Sequence, residues 1–154
     1  MKRFAEIIAL LGLTTYLGNL INIGMTHAVA WTRMDITAFM TGFGEAFLLL
    51  LPTLFITLLP GFIALIIILV KKHGSAAARK HWRMALYATL VSLTISMTFH
   101  LPTNFGFMEL SYSVEEAASR LQWWIILHWV RIALALVGAV YAVLGFQKTM
   151  HATA

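Results

Sequence analysis

From Ile36 to Val70 the chain carries no basic residue and a single acid, Glu45. Water cannot solvate a surface of that length. A helix apolar all round needs either a large protein interior or lipid around it. A chain of 154 residues cannot provide the first. Three further stretches, Phe4 to Met25, Trp82 to His100 and Leu121 to Phe146, reach the roughly 20 apolar residues that a crossing requires. Composition agrees: 60% of residues are hydrophobic and 11% charged, with a mean hydropathy of +0.84, whereas soluble domains carry about 25% charged residues. The expectation is an all-α integral membrane four-helix bundle, up-down-up-down. It forms one domain over residues 1–154, with helices at about 4–25, 37–70, 82–100 and 121–146. Ile36 to Val70 exceeds one straight crossing at about 1.5 Å per residue. Its first turns therefore read as an interfacial lead-in or a tilted extension, and Pro52 and Pro60 are expected to kink the remainder.

Lys2 and Arg3, an apolar core and Ala28-Val-Ala30 imitate a secretory leader. Glu6, Asn19 and Asn22 are poor residues for one, and the segment reads as a retained helix. Lysine and arginine set the direction. Lys71, Lys72, Arg79, Lys80 and Arg83 sit between the second and third spans, Lys2 and Arg3 precede the first, and Lys148 closes the fourth. The other two loops hold Arg33 and Arg120 among acids. Both termini are thus expected in the cytoplasm, in the inner or plasma membrane for a bacterial chain. The net charge of +5 is a topology signal, and no nucleic-acid partner is implied. With no cysteine, thiolate chemistry and iron–sulfur ligation are excluded. In "SVEEAASR", Ser113 precedes Glu116 by three residues, as in a capped helix start.

In lipid, close packing of small residues and interhelical hydrogen bonds hold helices together. Small and polar residues spaced by three or four therefore mark inward faces. Three rows result: Gly12, Thr15, Asn19, Asn22 and Thr26; Ala85, Thr89, Ser92, Ser96 and His100; and Trp124, His128, Arg131, Ala135, Gly138 and Ala142. Ile125, Ile126, Trp129, Ile132, Leu136, Val140 and Val143 are left for lipid. Depth then gathers Asn19, Asn22, Glu45, His100, Asn104, His128 and Arg131 into one polar pocket in the outer half of the bundle. Structural roles stand beside the functional ones. Glu45 and Arg131 can be an ion pair fixing register, His100 a cap, Asn19 and Asn22 interhelical glue, and Trp123, Trp124 and Trp129 an aromatic belt.

Histidine can move protons, arginine can steady an anionic oxygen, and a carboxylate can act as base or partner. Glu45, His100 and His128, with His27 at the mouth, also count as metal ligands, though no Glu-x-x-His pair is present. A haem between His100 and His128 is the weaker alternative. No glycine-rich nucleotide loop occurs, so no cofactor is assigned and its identity stays open.

"HLPTN" (His100 to Asn104), followed after a short link by tryptophans and the His-x-x-Arg of His128 and Arg131, resembles the anthrone-oxygenase-like family of small four-helix membrane proteins. That family carries a Pro-x-Asn after the third helix, matched by Pro102 and Asn104. It also carries a Trp-rich Asn-His-x-x-Arg-Thr in the fourth, of which His128 and Arg131 match. Leu127 and Ile132 depart from it. The resemblance covers roughly Ile36 to Gly145 in layout and implies monooxygenation of a flat polycyclic phenol without an evident metal or flavin motif. His128 would be base or proton shuttle, Arg131 and Asn104 would hold the oxyanion, and Glu45 would tune the pair. The catalytic set is then His128, Arg131, Glu45 and His100, and the substrate-binding set Asn104, Trp124, Asn19 and Asn22. The partners expected are the bilayer and a hydrophobic small molecule, with a homo-oligomer or larger complex compatible. The alternative is a non-catalytic accessory subunit binding a lipid, quinone or pigment. A transporter is disfavoured, because no inverted repeat is visible.

Overall fold

The computed structural model describes residues 2–151. They form an all-helical structure with four helices long and apolar enough to cross a membrane: α1 (Arg3–Trp31), α2 (Ile36–Val70), α3 (Ala76–Met108) and α4 (Val114–Met150). Short turns alternate between the two ends, giving the up-and-down bundle expected of an integral membrane protein. The end that carries the α1–α2 and α3–α4 turns is called distal here.

Local chemistry sets the boundaries. The Asp35 carboxylate accepts from the backbone N–H of Thr37 and Ala38 at 2.9 and 3.2 Å and starts α2. Ser75 caps α3 through Ala78 N–H at 3.1 Å, and Ser113 caps α4 through Glu116 N–H at 3.2 Å. These bonds satisfy donors that no helical turn can reach. Between α2 and α3 the chain reverses through Lys72 at φ 51° and Gly74 at φ 72°.

Several boundaries differ from the sequence expectation, among them the start of α3 at Ala76, ahead of the expected Trp82, and the end of α4 at Met150, past the expected Phe146. The first helix runs on past Met25 to Trp31. The third does not close at His100: it continues through Pro102 to Met108. A π turn over Ser96–His100 makes this possible, with the Leu101 N–H reaching back to Ser96 O. The wider turn relieves the backbone where Pro102 has no N–H to give and its ring would crowd the preceding turn. The fourth helix begins at Val114, ahead of the expected Leu121. The second is one continuous helix of 35 residues with both prolines inside it. At about 50 Å it outspans a hydrocarbon core of about 30 Å.

The buried core has three zones. Farthest from the distal end, Ala9, Leu13, Ala64, Leu65, Trp82, Ala85 and Ala142 pack together. Tyr16, Leu20, Leu58, Ile132 and Ala135 fill the middle, where the Tyr16 hydroxyl meets Ser92 Oγ at 3.2 Å. Trp31, Phe39, Met40, Phe43, Phe107, Leu121 and Trp124 seal the distal end.

The inward rows of α3 and α4 are buried as expected. The row on α1 is not. Gly12 is buried, but Thr15, Asn22 and Thr26 are exposed and Asn19 is half-buried. The inward face of α1 is instead Glu6, Ala9, Leu13, Tyr16 and Leu20. Thr15 and Thr26 return their hydroxyls to carbonyls of their own helix, Leu11 and Asn22, so they need no partner helix. Ile132, expected in lipid, is buried. The α2–α3 seam is the loosest of the four between neighbouring helices, and the site lies beside it.

Candidate functional site

Between the middle and distal zones lies a cavity of about 330 Å³. One wall is α4, which presents Trp124, His128 and Arg131. Another is α3, with Ser96, His100 and Asn104. Residues spaced by four drift by about 40° per step on an α-helix. The π turn between Ser96 and His100 takes up that drift and keeps Asn104 on the same wall. On α2, Phe43, Phe47, Leu50, Leu51, Leu54, Phe55 and Leu58 form an apolar face, and Ile23 and Trp31 of α1 close the remainder. The polar atoms therefore share one side of an otherwise hydrocarbon-lined chamber.

His128 is 1% exposed. Its Nε2 lies 2.9 Å from Leu20 O on α1. A carbonyl only accepts, so Nε2 carries the proton and donates. In the neutral ring Nδ1 then bears a lone pair, and Nδ1 is buried without a partner. Gly24 makes this contact possible: a Cβ there would come 3.3 Å from His128 Cδ2 and 3.0 Å from Ile132 Cδ1. The Trp124 ring lies parallel to His128, centroids 4.9 Å apart at 8°, which fixes the imidazole plane.

Trp124 Nε1 donates to Asn104 Oδ1 at 2.8 Å. An indole N–H cannot accept, so the amide is oriented with Nδ2 as its unused donor. His100 sets Nε2 3.2 Å from Trp124 O and Nδ1 3.5 Å from Ile95 O; the shorter contact, in the tautomer with the proton on Nε2, ties α3 to the backbone of α4. Both imidazoles thus spend Nε2 on carbonyls and offer no Nε2 lone pair to a metal or haem iron. Among the described residues no group of three or more metal-ligating side chains forms.

Arg131 is 4% exposed. Its Nε is buried without a hydrogen-bond partner. Among the described residues the ion pair formed is Arg120 with Glu116, at 2.8 Å on the exposed start of α4. Arg131 lines the chamber, and among the described residues no carboxylate pairs with it.

His100, Asn104, Trp124, His128 and Arg131 are thus brought together. Glu45, Asn19 and Asn22 are not. Glu45 is exposed and lies off the lining of the cavity: four residues along the helix from Glu45, Leu49 is also exposed, while Phe43 and Phe47 turn inward. Asn19 contacts Thr57 Oγ1 at 3.5 Å, on the side of α1 that meets α2, an interhelical role. Asn22 is exposed. His27 packs on Trp31 with centroids 5.8 Å apart and does not line the cavity. Trp123 and Trp129 face outward, as a belt would.

Reading by polarity alone passed over the aromatic wall. Phe39, Phe43 and Phe47 recur every four residues, and that spacing is the signal that could have revealed it. It also passed over the Leu20 carbonyl, which no side-chain pattern reports.

A direct check of this geometry is Trp124→Phe. It keeps a ring against His128 but leaves Asn104 Oδ1 unpaired in the core. The expected loss is about 1–3 kcal/mol, read as a lower unfolding temperature in detergent, whereas the exposed Trp123→Phe stays within about 0.5 kcal/mol of the parent.

The sequence profile of the anthrone oxygenase family matches residues 39–141, about two thirds of the chain. No curated protein and no solved structure matches it.

Proposed function

The chain belongs to the anthrone oxygenase family, and on that premise we propose that its chamber takes up a flat, hydrophobic phenol or anthrone and promotes its oxygenation by dioxygen. The observation that carries this reading is a pair of residues on one wall that each keep a buried nitrogen without a hydrogen-bond partner, His128 at Nδ1 and Arg131 at Nε.

In this reading His128 Nδ1 removes a proton from the activated CH2 of the bound molecule, and the electron pair moves onto the conjugated oxygen. Arg131 and the Asn104 Nδ2 stabilise that oxyanion. The electron-rich carbon reacts with dioxygen to give a peroxide anion, which regains its proton from His128. Loss of the second C–H hydrogen with the distal peroxide oxygen releases water and leaves a carbonyl. One oxygen atom enters the product and one leaves as water. Trp124 and His100 act as positioning residues: the first orients the amide and the imidazole, the second joins α3 to α4. The largely apolar lining of the chamber keeps the local dielectric low, which strengthens these electrostatic effects.

A scaffold would pair its polar side chains with one another around no cavity. Here the cation is unpaired and the space is open, which favours a ligand. Following the lysine and arginine distribution, the distal end is assigned to the extracytoplasmic side.

The test is oxygen uptake by the purified protein in nanodiscs supplied with an anthrone under air. The expected result is quinone formation well above that in protein-free nanodiscs, with one dioxygen consumed per molecule; equal rates overturn the reading. Glu45→Gln should leave that rate within about twofold of the parent, as befits a residue outside the chamber. A larger loss would return the carboxylate to the mechanism.

A further inference from the structure

We propose that the chamber holds its ligand as a monoanion, with the charged oxygen on Arg131 and Asn104 and the apolar body directed to an opening onto the bilayer between α2 and α3. This rests on the chamber being the substrate site, and it adds the charge state, the orientation and the route of entry.

The charge follows from Arg131. A guanidinium in a membrane interior is costly, and such residues are paired or face a polar ligand. Arg131 is buried, lines the cavity and, among the described residues, has no anionic partner. Among the described residues no Asp or Glu lines the cavity. The remaining inventory is specific. Asn104 supplies a second donor, since its oxygen is spent on Trp124, and His128 supplies one acceptor, since its Nε2 is spent on Leu20. Two donors and one acceptor on a single wall fit an enol or phenol that gives its acidic hydrogen to the acceptor and is then held by the donors as the oxyanion.

The direction follows from the walls. Distally, Trp31 packs edge-on against Trp124 at 5.3 Å and Phe39 against Phe107 at 4.9 Å, closing that end with aromatic rings. Toward the other end Tyr16, Leu58 and Ile132 are packed together. Laterally, Phe55 of α2 and Met97 of α3 both line the cavity while remaining 47% and 56% exposed. They flank the loosest seam of the bundle. A rim made of phenyl and thioether groups admits molecules dissolved in lipid.

The experiment uses the full-length protein in phosphatidylcholine nanodiscs and a nitronaphthol, whose neutral and ionised forms absorb at different wavelengths, with its methyl ether as the uncharged control. An opposite charge a few ångströms away favours ionisation by a factor of about ten or more. The parent is therefore expected to hold the dye ionised at a proton concentration at least tenfold higher than protein-free nanodiscs allow, and to bind the ether at least tenfold more weakly. Arg131→Gln should lose both differences and Arg131→Lys should keep them; where the glutamine protein does not fold, the parent, the lysine protein and the ether decide. Met97→Trp should slow dye entry severalfold without changing its final ionisation. A dye that stays neutral, an ether bound as tightly as the dye, or ionisation retained in Arg131→Gln overturns the anionic mode. Unchanged entry in Met97→Trp overturns the lateral route. Ionised binding without anthrone-dependent oxygen uptake removes the oxygenase reading and leaves this one; uptake without ionised binding does the reverse.

Discussion

His128→Ala is expected to lower kcat for anthrone oxidation by about 100-fold or more, the usual range for loss of a positioned general base, with a much smaller change in KM. The imidazole is the ring that combines an unpartnered lone-pair nitrogen with a fixed orientation: Leu20 O holds Nε2 at 2.9 Å and Trp124 lies parallel to its face. Alanine, however, deletes two things together, the Nδ1 base and the bond that ties α4 to α1. His128→Gln separates them. Its amide can still donate to the Leu20 carbonyl, yet an amide has no basicity to accept a proton from carbon. The expected outcome is that glutamine recovers the thermal stability lost with alanine while turnover stays down. Should glutamine restore turnover as well, His128 is a strut and not a base. Rates are to be read against uncatalysed oxidation in empty nanodiscs, because anthrones react with air unaided.

How much of this site was legible depends on the helix. On α4, Trp124, His128, Arg131, Ala135, Gly138 and Ala142 form a regular stripe of small and polar groups, and every one is buried. A guanidinium and an imidazole have no low-energy place in lipid, so their presence on that stripe fixes which way it faces. On α1 the same logic failed. Threonine hydroxyls at Thr14, Thr15 and Thr26 bond to carbonyls three or four residues back and so satisfy themselves while facing outward. The true inward face is marked by Tyr16 and Leu20, which look no different in sequence from lipid-facing residues. On α3, Pro102 read as a terminator. The compensating π turn is a backbone adjustment that no local pattern announces, yet it is what carries Asn104 to Trp124. Glu45 misled because a lone acid in a long apolar run looks obliged to turn inward. In this bundle it is exposed, and Arg131 goes unpaired. That contrast is the most informative departure, since a pair would have closed the site and a free guanidinium leaves it open to a ligand.

The second large effect concerns the crossing of α1 over α2. A Cβ on Gly12 would stand 2.5 Å from Gly61 Cα and N, and one on Gly61 would stand 2.9 Å from Gly12 Cα and C. The obstacle on each side is backbone, which cannot rotate away as a side chain can. The two helices approach this closely because neither has a side chain at that point, as small-residue contacts in membranes allow. Gly12→Ala is therefore expected to destabilise the bundle by about 1–3 kcal/mol, and Gly12→Val to prevent recovery of monodisperse protein. Gly18 and Gly42 have nothing within 4 Å of a built Cβ, so alanine there should be neutral or gain about 0.5–1 kcal/mol from helix propensity. Unfolding temperatures in one detergent decide among the three alanine variants. The effect should reach the site as well. Gly12 lies one turn from Tyr16, whose hydroxyl meets Ser92, and two turns from Leu20, whose carbonyl holds His128. Moving α1 outward to admit a methyl group pulls that carbonyl from the imidazole, so Gly12→Ala should lose turnover even at temperatures where it remains folded. If Gly12→Ala matches Gly18→Ala in both stability and rate, the helices do not cross there, and the account of how Leu20 reaches His128 falls with it.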